Sequence, residues 1–164
     1  MMTFDSIEEL EKIKSVYPEA DCVLRIATDV SSAIYQLSEK FGALMSDVPD
    51  ILKAAKNLGL RIKGVSFHTG SGGVKFETYR SSLLNARKIF DMAPDFGLEA
   101  MDLLDIGGGF TMIHPGTGKN FDEVAPMISD MIDEVFPDRN IRVIAEPGRY
   151  IIESVAYLAS RIIG

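Results

Sequence analysis

The sequence predicts an α/β protein built on a parallel β-sheet, and three observations support this fold class. Short apolar runs begin roughly 40 residues apart, and a stretch with helical periodicity follows each of them. Each run is apolar at consecutive positions, which is typical of parallel strands buried on both faces. Polar or glycine-rich residues follow each run, where parallel sheets bind ligands. The expected strands are Cys22–Ala27, Lys63–His68, Met101–Ile106 and Ile141–Glu146.

Helices are expected before and between these strands. Apolar residues recur at helical spacing in Ser6–Tyr17, with Asp5 or Ser6 as the N-cap. Val48–Leu58 has the same pattern and is followed by Gly59, a favourable helix terminator. Two further helices are expected at Tyr79–Met92 and Glu123–Val135.

Two architectures fit this alternation, a doubly wound sheet and a (β/α)₈ TIM barrel. In a doubly wound sheet, one switch point dominates the ligand site. Here the ends of four successive strands all carry polar residues or glycines, which favours the barrel. A complete barrel needs about 250 residues. The 164 residues, with the strand-like MMTF at the start, are therefore expected to form about five of its eight strands.

Composition and charge argue against several classes of function. The chain has 17 Lys and Arg against 24 Asp and Glu, and this net charge of −7 is unfavourable for binding nucleic acid. No apolar run approaches the roughly 20 residues of a membrane span. The start, MMTFDSIEELEKI, does not resemble a signal peptide. The single cysteine, Cys22, cannot form an internal disulfide and is expected to pack in the core, so a cytoplasmic location is predicted.

The run Gly107-Gly108-Gly109-Phe110 directly follows a predicted strand. Glycines at this position leave backbone N–H groups accessible, and such groups can bind a phosphate. A tight left-handed turn without a ligand explains the same residues. The pattern is not GxGxxG, so a dinucleotide site is not indicated.

The segment SFHTGSG places His68 at a strand end and Ser71 just beyond it. A histidine there can stack on a ring or donate a proton, and Ser71 with its neighbouring amides can bind an oxyanion. The alternative is a polar turn with one surface histidine. With two histidines and one cysteine in the chain, a zinc site is not expected.

The segment EPGR places Glu146 at a strand end and Arg149 three residues later, separated by the stiff turn of Pro147 and Gly148. A carboxylate can keep a ring nitrogen protonated, and a guanidinium fits a phosphate. The alternative is a structural Glu–Arg pair that closes the turn. Arg25, inside the apolar run VLRIA, needs a partner if it is buried, and an ion pair inside the barrel would provide one.

Together these segments describe one site with a glycine-rich phosphate cradle, a stacking histidine, a carboxylate and two arginines. A cofactor with a basic ring and a phosphate requires these groups, and pyridoxal 5'-phosphate has both.

The stretches VLRIATD, LSEKFGA, GVSFHTGSG, LLDIGGGF and VIAEPGRY resemble the eukaryotic ornithine decarboxylases of the ornithine/diaminopimelate/arginine decarboxylase family. The resemblance covers residues 1–164. It implies a pyridoxal-phosphate enzyme with an alanine-racemase-like barrel, of which this chain would supply about strands four to eight. The family's C-terminal β domain and its first barrel strands would lie outside the chain.

The resemblance also implies roles for individual residues. The catalytic residue His68 would stack on the pyridine ring, and Glu146 would pair with the pyridinium nitrogen. Arg25 would support Glu146 or the wall of the site. The residues that resemble the family's phosphate-binding segments are Ser71, Gly107, Gly108, Gly109, Pro147, Gly148 and Arg149.

Other family features would lie elsewhere. The lysine that binds the cofactor covalently would precede Met1, and a catalytic cysteine, substrate-binding aspartates and a phosphate-binding tyrosine would follow Gly164. The loop TMIHPGTGKN differs from the family pattern. The implied partners are an amino-acid substrate, a second subunit in a homodimer, and antizyme.

Three other functions stay open. An antizyme-inhibitor-like binding protein would share the fold, but such proteins tend to lose the cofactor contacts that this chain retains. A decarboxylase for arginine, lysine or diaminopimelate is possible, although HTGSG and VLRIATD argue against diaminopimelate. A short structural or regulatory protein is the third.

Overall fold

The structure is a computed structural model that describes residues 1–28, 40–71, 75–114, 117–138, 140–155 and 159–162. Its strands are β1 (Met2–Phe4), β2 (Asp21–Ile26), β3 (Arg61–Phe67), β4 (Leu103–Asp105) and β5 (Arg142–Ile144). Its α-helices are α1 (Ile7–Val16), α2 (Val48–Leu58), α3 (Phe76–Met92), α4 (Phe121–Val135) and α5 (Gly148–Ile152), and Ala93–Phe96 is a 3₁₀ helix.

The five strands form one parallel sheet in the order β1-β2-β3-β4-β5. This confirms the predicted α/β class with a parallel sheet. Each strand pairs with its neighbour in the sequence. Because crossover connections between parallel strands are right-handed, a sequential order puts the connecting helices on one face of the sheet.

The core lies between that face and the helices. Leu24 of β2, Val65 of β3 and Leu104 of β4 are fully buried and belong to one apolar cluster. The helices contribute Leu10, Leu52, Leu83 and Ile128 to the same cluster. Burying a side chain of this size stabilises the fold by about 2 kcal/mol. Cys22 is also buried in this cluster, as predicted.

The opposite face of the sheet carries polar residues at register-paired positions of neighbouring strands. The register pairs Arg25 with Ser66, and Ser66 with Asp105, so these three side chains lie in one row across β2, β3 and β4. Two residues further along, the alternation of strands brings His68 and Gly107 to the same face. Glu146 follows Ile144, the partner of Asp105, by the same two residues.

Most predicted helix boundaries are confirmed within a few residues. Ser6 is the N-cap of α1, and its side chain accepts a hydrogen bond from the Glu9 N–H. Helix α2 has the predicted bounds, and Gly59 ends it in a left-handed conformation (φ 63°). Helix α3 begins three residues earlier than predicted. Helix α4 begins two residues earlier, because Asn120 and Glu123 form a reciprocal capping box.

Strands β4 and β5 are shorter than predicted, although the ladder continues beyond their ends. The Ile106 N–H donates to the Ile144 carbonyl (3.0 Å), and the Glu146 N–H donates to the Gly107 carbonyl (2.8 Å). The backbone turns away at the glycines, so regular pairing stops there. In the part of the chain that the structure describes, no helix is both long enough and apolar enough to cross a bilayer.

Candidate functional site

Three strand ends meet through the glycine run after β4. A Cβ added at Gly107 would lie 2.3 Å from the Phe67 carbonyl oxygen, at the end of β3. One added at Gly108 would lie 2.3 Å from the Glu146 carbonyl oxygen, after β5. The glycine run is thus in direct contact with the ends of both neighbouring strands, where any side chain would clash.

The last glycine of the run contacts the loop that contains Ser71. A Cβ at Gly109 would lie 2.0 Å from the Gly70 carbonyl oxygen and 3.3 Å from the Ser71 Cα. Gly107 and Gly109 also have positive φ angles of 68° and 84°, which favour glycine. The glycine run therefore combines a left-handed turn with close contacts to its neighbouring backbone segments.

The N–H groups of the glycine run are not equivalent. Asp105 Oδ1 accepts the Gly107 N–H at 2.9 Å. In the described ranges, no residue accepts a hydrogen bond from the N–H of Gly108 or Gly109. Two adjacent backbone donors beside Ser71 form a suitable binding site for an anion.

His68 is half-buried, and the loop fixes its ring. Its Nδ1 accepts the Gly70 N–H at 3.0 Å, so the neutral ring carries its proton on Nε2. Its carbonyl oxygen accepts the Thr28 hydroxyl at 3.0 Å. Burial lowers the pKa of His68, the Arg25 charge lowers it further, and Glu146 opposes both effects. His68 is therefore a neutral, oriented ring at neutral pH.

Arg25 lies on the same face, one row below His68. Its Nη2 atom is buried, and no residue in the described ranges accepts a hydrogen bond from it. The guanidinium carbon lies 5.3 Å from the centre of the Phe41 ring. Because a buried guanidinium nitrogen without an acceptor is costly, Arg25 is suited to interact with an anionic group in the site.

The Glu146–Arg149 turn is closed by its backbone, since the Gly148 N–H donates to the Glu146 carbonyl at 2.8 Å. The Glu146 side chain is exposed, and Pro147 is the N-cap of α5. Arg149 lies in the first turn of this helix and pairs with Glu153 at 3.7 Å. The alternative prediction for this segment was a structural ion pair between Glu146 and Arg149. The ion pair found here joins Arg149 to Glu153 instead.

Sequence reasoning missed Asp105, which is buried and lies within reach of the charges of Arg25 and Glu146. Burial raises the pKa of its carboxyl group, and Glu146 raises it further. The hydrogen bond from Gly107 and the Arg25 charge act in the opposite direction. The available signal was an acidic residue at the end of an apolar strand, two positions before the first glycine, where the alternation puts it on the polar face.

Helix α5 was also missed, as was an aromatic cluster beneath the glycine run. The Phe110 ring is 5.7 Å from Phe121, which is 4.5 Å from Tyr150. On its other side, Phe110 stacks on Tyr79 at 6.3 Å. The cluster joins the glycine run to α3, α4 and α5.

No group of three His, Cys, Asp or Glu side chains in the described ranges could hold a metal ion.

Comparison with known proteins identifies the family. Residues 1–153 match the model of the pyridoxal-dependent decarboxylase pyridoxal-binding domain. The chain is 47% identical to mouse ornithine decarboxylase over 167 aligned residues. This alignment covers 99% of the chain and 35% of that protein. It is 45% identical to antizyme inhibitor 2 of Xenopus laevis, with 99% and 36% coverage. The chain therefore spans about a third of the length of these relatives.

Solved structures agree with this result. The arginine decarboxylase of Paramecium bursaria Chlorella virus bound to agmatine matches with a TM-score of 0.82 at 35% identity, over 91% of this chain and 40% of that one. A mutant of SrLDC in complex with PLP matches with a TM-score of 0.79 at 38% identity, over 91% and 38%. The relatives include ornithine decarboxylases and related lyases, and pyridoxal phosphate is the family's cofactor. The chain belongs to the pyridoxal-dependent decarboxylase family and matches its pyridoxal-binding domain.

Proposed function

We propose that the protein carrying this chain decarboxylates ornithine to putrescine with pyridoxal phosphate, as a step of polyamine biosynthesis. The observation that carries the proposal is the convergence of the glycine run, His68 and Glu146 at adjoining strand ends. The 47% identity to mouse ornithine decarboxylase supports ornithine as the substrate.

The residues of the site fit both the phosphate and the ring of pyridoxal phosphate. The N–H groups of Gly108 and Gly109, with Ser71, would bind the phosphate, and Arg149 would add a positive charge. A side chain at Gly107 or Gly108 would collide with a neighbouring strand end, and one at Gly109 would collide with the Gly70 carbonyl, so the narrow shape of the cradle depends on glycine. The Nη2 atom of Arg25 is buried, and no residue in the described ranges accepts a hydrogen bond from it. This guanidinium could therefore interact with an anionic group bound in the site.

When bound, pyridoxal phosphate delocalises the electron pair that remains after CO₂ leaves. Glu146 would hold a proton on the ring nitrogen and so strengthen this delocalisation. His68, which is neutral because it is buried and close to Arg25, would lie flat against the ring and keep water from that face. Pro147 and Gly148 would fix the short turn between Glu146 and Arg149.

We further infer that the sheet is an arc of a (β/α)₈ barrel, about strands four to eight. The sequential order of five parallel strands supports this, because a doubly wound sheet reverses its order at a switch point. The polar row of Arg25, Ser66 and Asp105 would then face the barrel interior. Under this proposal residues 1–164 belong to one barrel domain, which the rest of the protein completes.

A second candidate function is an antizyme-inhibitor-like binding protein, because antizyme inhibitor 2 of Xenopus laevis is nearly as similar to the chain as the enzymes are. The intact glycine run, His68 and Glu146 favour the enzyme. A homodimer, antizyme as a partner and a cytoplasmic location stay predictions of the resemblance.

The deciding experiment uses the full-length protein. We expect it to bind pyridoxal phosphate, seen as an absorbance band of the purified protein, and to release ¹⁴CO₂ from carboxyl-labelled ornithine. Labelled arginine, lysine and diaminopimelate are assayed in parallel. Faster release from one of these would reject ornithine as the substrate. A protein that binds antizyme but neither pyridoxal phosphate nor ornithine would reject the enzyme in favour of the second candidate.

A further inference from the structure

We propose that Asp105 is a positioning residue that fixes the glycine run and the Glu146 strand end relative to each other. The proposal rests on the proposed cofactor site and adds to it a residue that would not touch the cofactor. Asp105 lies in β4, two residues before Gly107, and is buried. Its position in the row of Arg25 and Ser66 directs its side chain to the polar face of the sheet.

The first contact in the argument joins Asp105 to the glycine run. Its Oδ1 accepts the Gly107 N–H at 2.9 Å. Gly107 is itself buried and has a φ of 68°, which glycine adopts without steric cost but shares with other accessible conformations, so a single peptide orientation here needs support from outside the residue. The side chain of Asp105 supplies that support from two residues upstream.

The second contact joins the glycine run to Glu146. The Gly107 carbonyl accepts the Glu146 N–H at 2.8 Å. The next residue, Gly108, lies so close to the Glu146 carbonyl that a Cβ would come within 2.3 Å of that oxygen. Both backbone groups of Gly107 are therefore used, one toward Asp105 and one toward Glu146.

The two contacts form one connection from a buried side chain to both parts of the site. If Asp105 loses its acceptor, the Ile106–Gly107 peptide loses the hydrogen bond that orients it, and the φ of Gly107 is less restrained. The donor pair of Gly108 and Gly109 then loses its orientation, and Glu146 loses the hydrogen bond that fixes its backbone. One side chain thus controls the geometry at the phosphate end and at the ring end.

The charged groups that act on Asp105 come from two neighbouring elements: Arg25 from β2 and Glu146 from the end of β5. The acceptor role does not need the negative charge, since an asparagine amide oxygen accepts the same N–H. Because burial raises the pKa of Asp105, the ionised carboxyl costs stability at neutral pH, and Asp105→Asn is expected to fold at least as stably as the native protein.

The test compares two side chains with the same branching at Cγ in the full-length protein. Asp105→Asn keeps the acceptor, whereas Asp105→Leu fills the space without one. We expect Asp105→Leu to weaken pyridoxal phosphate binding by about tenfold or more and Asp105→Asn to stay within about threefold of the native affinity. Asp102→Leu, which removes a carboxylate that pairs with Lys63 just before β4, is the matched control and is expected to keep the native affinity.

A second readout needs no cofactor. In the apo protein, Asp105→Leu is expected to speed hydrogen exchange at the amides of Gly107 and Glu146 by about tenfold, while Asp105→Asn leaves both slow. A general loss of packing would instead speed exchange throughout β4. Asp105→Ala replaces Asp105→Leu if the latter does not fold.

The outcomes separate the two proposals. Native exchange rates in Asp105→Leu would overturn the role of Asp105 whether or not the protein binds the cofactor. Equal losses in Asp105→Leu and Asp105→Asn would overturn it as well, because charge and not the acceptor would then be required. A native protein that does not bind pyridoxal phosphate would reject the proposed function, and amide exchange would still decide the role of Asp105.

Discussion

Two glycines of similar backbone conformation differ in what surrounds them. Gly109 (φ 84°) lies against the Gly70 carbonyl, whereas Gly118 (φ 68°) has nothing within 4 Å of an added Cβ. An alanine at either position adopts an unfavourable φ, which costs about 1 kcal/mol. Only at Gly109 does the methyl group also push two loops apart.

This difference gives a matched pair of substitutions. We expect Gly118→Ala to lower the free energy of unfolding by about 1 kcal/mol and to keep native affinity for pyridoxal phosphate. Gly109→Ala should cost more stability and weaken binding at least tenfold, or about 1.4 kcal/mol. Urea denaturation and cofactor titration measure the two effects. Equal affinities in both variants would show that the close approach is not needed for binding.

The ionisation of His68 gives a pH prediction. Burial and Arg25 hold the pKa of His68 below its ordinary value of 6.5. The folded state therefore resists protonation, so the stability that comes from neutral His68 is complete above pH 6.5. It is lost as the pH falls from there through the folded-state pKa.

Replacing the ring with a side chain that does not titrate tests this expectation. The variant His68→Gln should show a weaker fall of unfolding free energy below pH 6.5 than the native protein. His114→Gln, which keeps His68 and its neighbours, is the control. Identical pH dependence in His68→Gln and the native protein would contradict the lowered pKa. Thermal or urea unfolding at several pH values provides the measurement.

At the scale of secondary structure elements, β3 and β4 approach closely at Gly64. A Cβ there would lie 1.8 Å from the Leu103 carbonyl oxygen. Because Asp105 and Gly107 lie two and four residues after Leu103, the spacing of these two strands sets the position of the site.

We expect Gly64→Ala to destabilise the fold by about 3 kcal/mol, since the methyl group forces the backbone of β4 outward. Gly59→Ala is the control. At that helix end φ is 63°, the nearest atom to an added Cβ is the Lys14 Nζ at 3.9 Å, and the expected cost is about 1 kcal/mol. Equal costs for the two variants in urea denaturation would contradict the tight contact between β3 and β4.

The sequence predicted elements well where the signal is local. Ser6 and Gly59 mark the ends of α1 and α2 because caps and terminators act within a few residues. The start of α3 was missed because its N-cap, Lys75, makes no side-chain capping bond. The N-x-x-E pattern of Asn120 and Glu123 marks the start of α4 and could have been recognised. The need for glycine at position 64 depends on a strand 39 residues later, which no local pattern reveals.

At the scale of the whole molecule, the edge strands β1 and β5 each have one partner among the described strands. Apolar side chains are exposed near β5, including Val143 (39%), Ile151 (65%), Ile152 (63%) and Val155 (71%). An unpaired strand edge beside apolar surface promotes association between chains.

We expect residues 1–164 expressed alone to self-associate, to precipitate readily and not to decarboxylate ornithine. Val143→Lys puts a charge on the exposed edge strand and should reduce association, whereas Val16→Lys, at an exposed position in α1, should not. Sedimentation velocity provides the comparison. A monomeric chain, or one that releases CO₂ from ornithine, would contradict this expectation.

The candidate site was only partly predictable at this scale. The polar residues and glycines at the carboxyl ends of successive strands indicated that the ends of β3, β4 and β5 would form one site, and the structure brings His68, Gly107 and Glu146 together. The role of Asp105 depends on the register of three strands and on a single hydrogen bond, and both are properties of the folded backbone. A motif search detects the glycines and does not detect the side chain that holds them.

The strand order has a consequence for synthesis of the protein. Each strand pairs with the one before it, so the order of translation is also the order of pairing. At 5–20 residues per second, β3 leaves the ribosome about 2 to 8 seconds after β2. Each new strand needs only the strand translated before it as a partner, so the nascent sheet can grow by one strand at a time. Glu146 and Arg149 are the last charged groups of the candidate site to be translated in this chain, so a nascent chain gains their contacts only after β5 has been made.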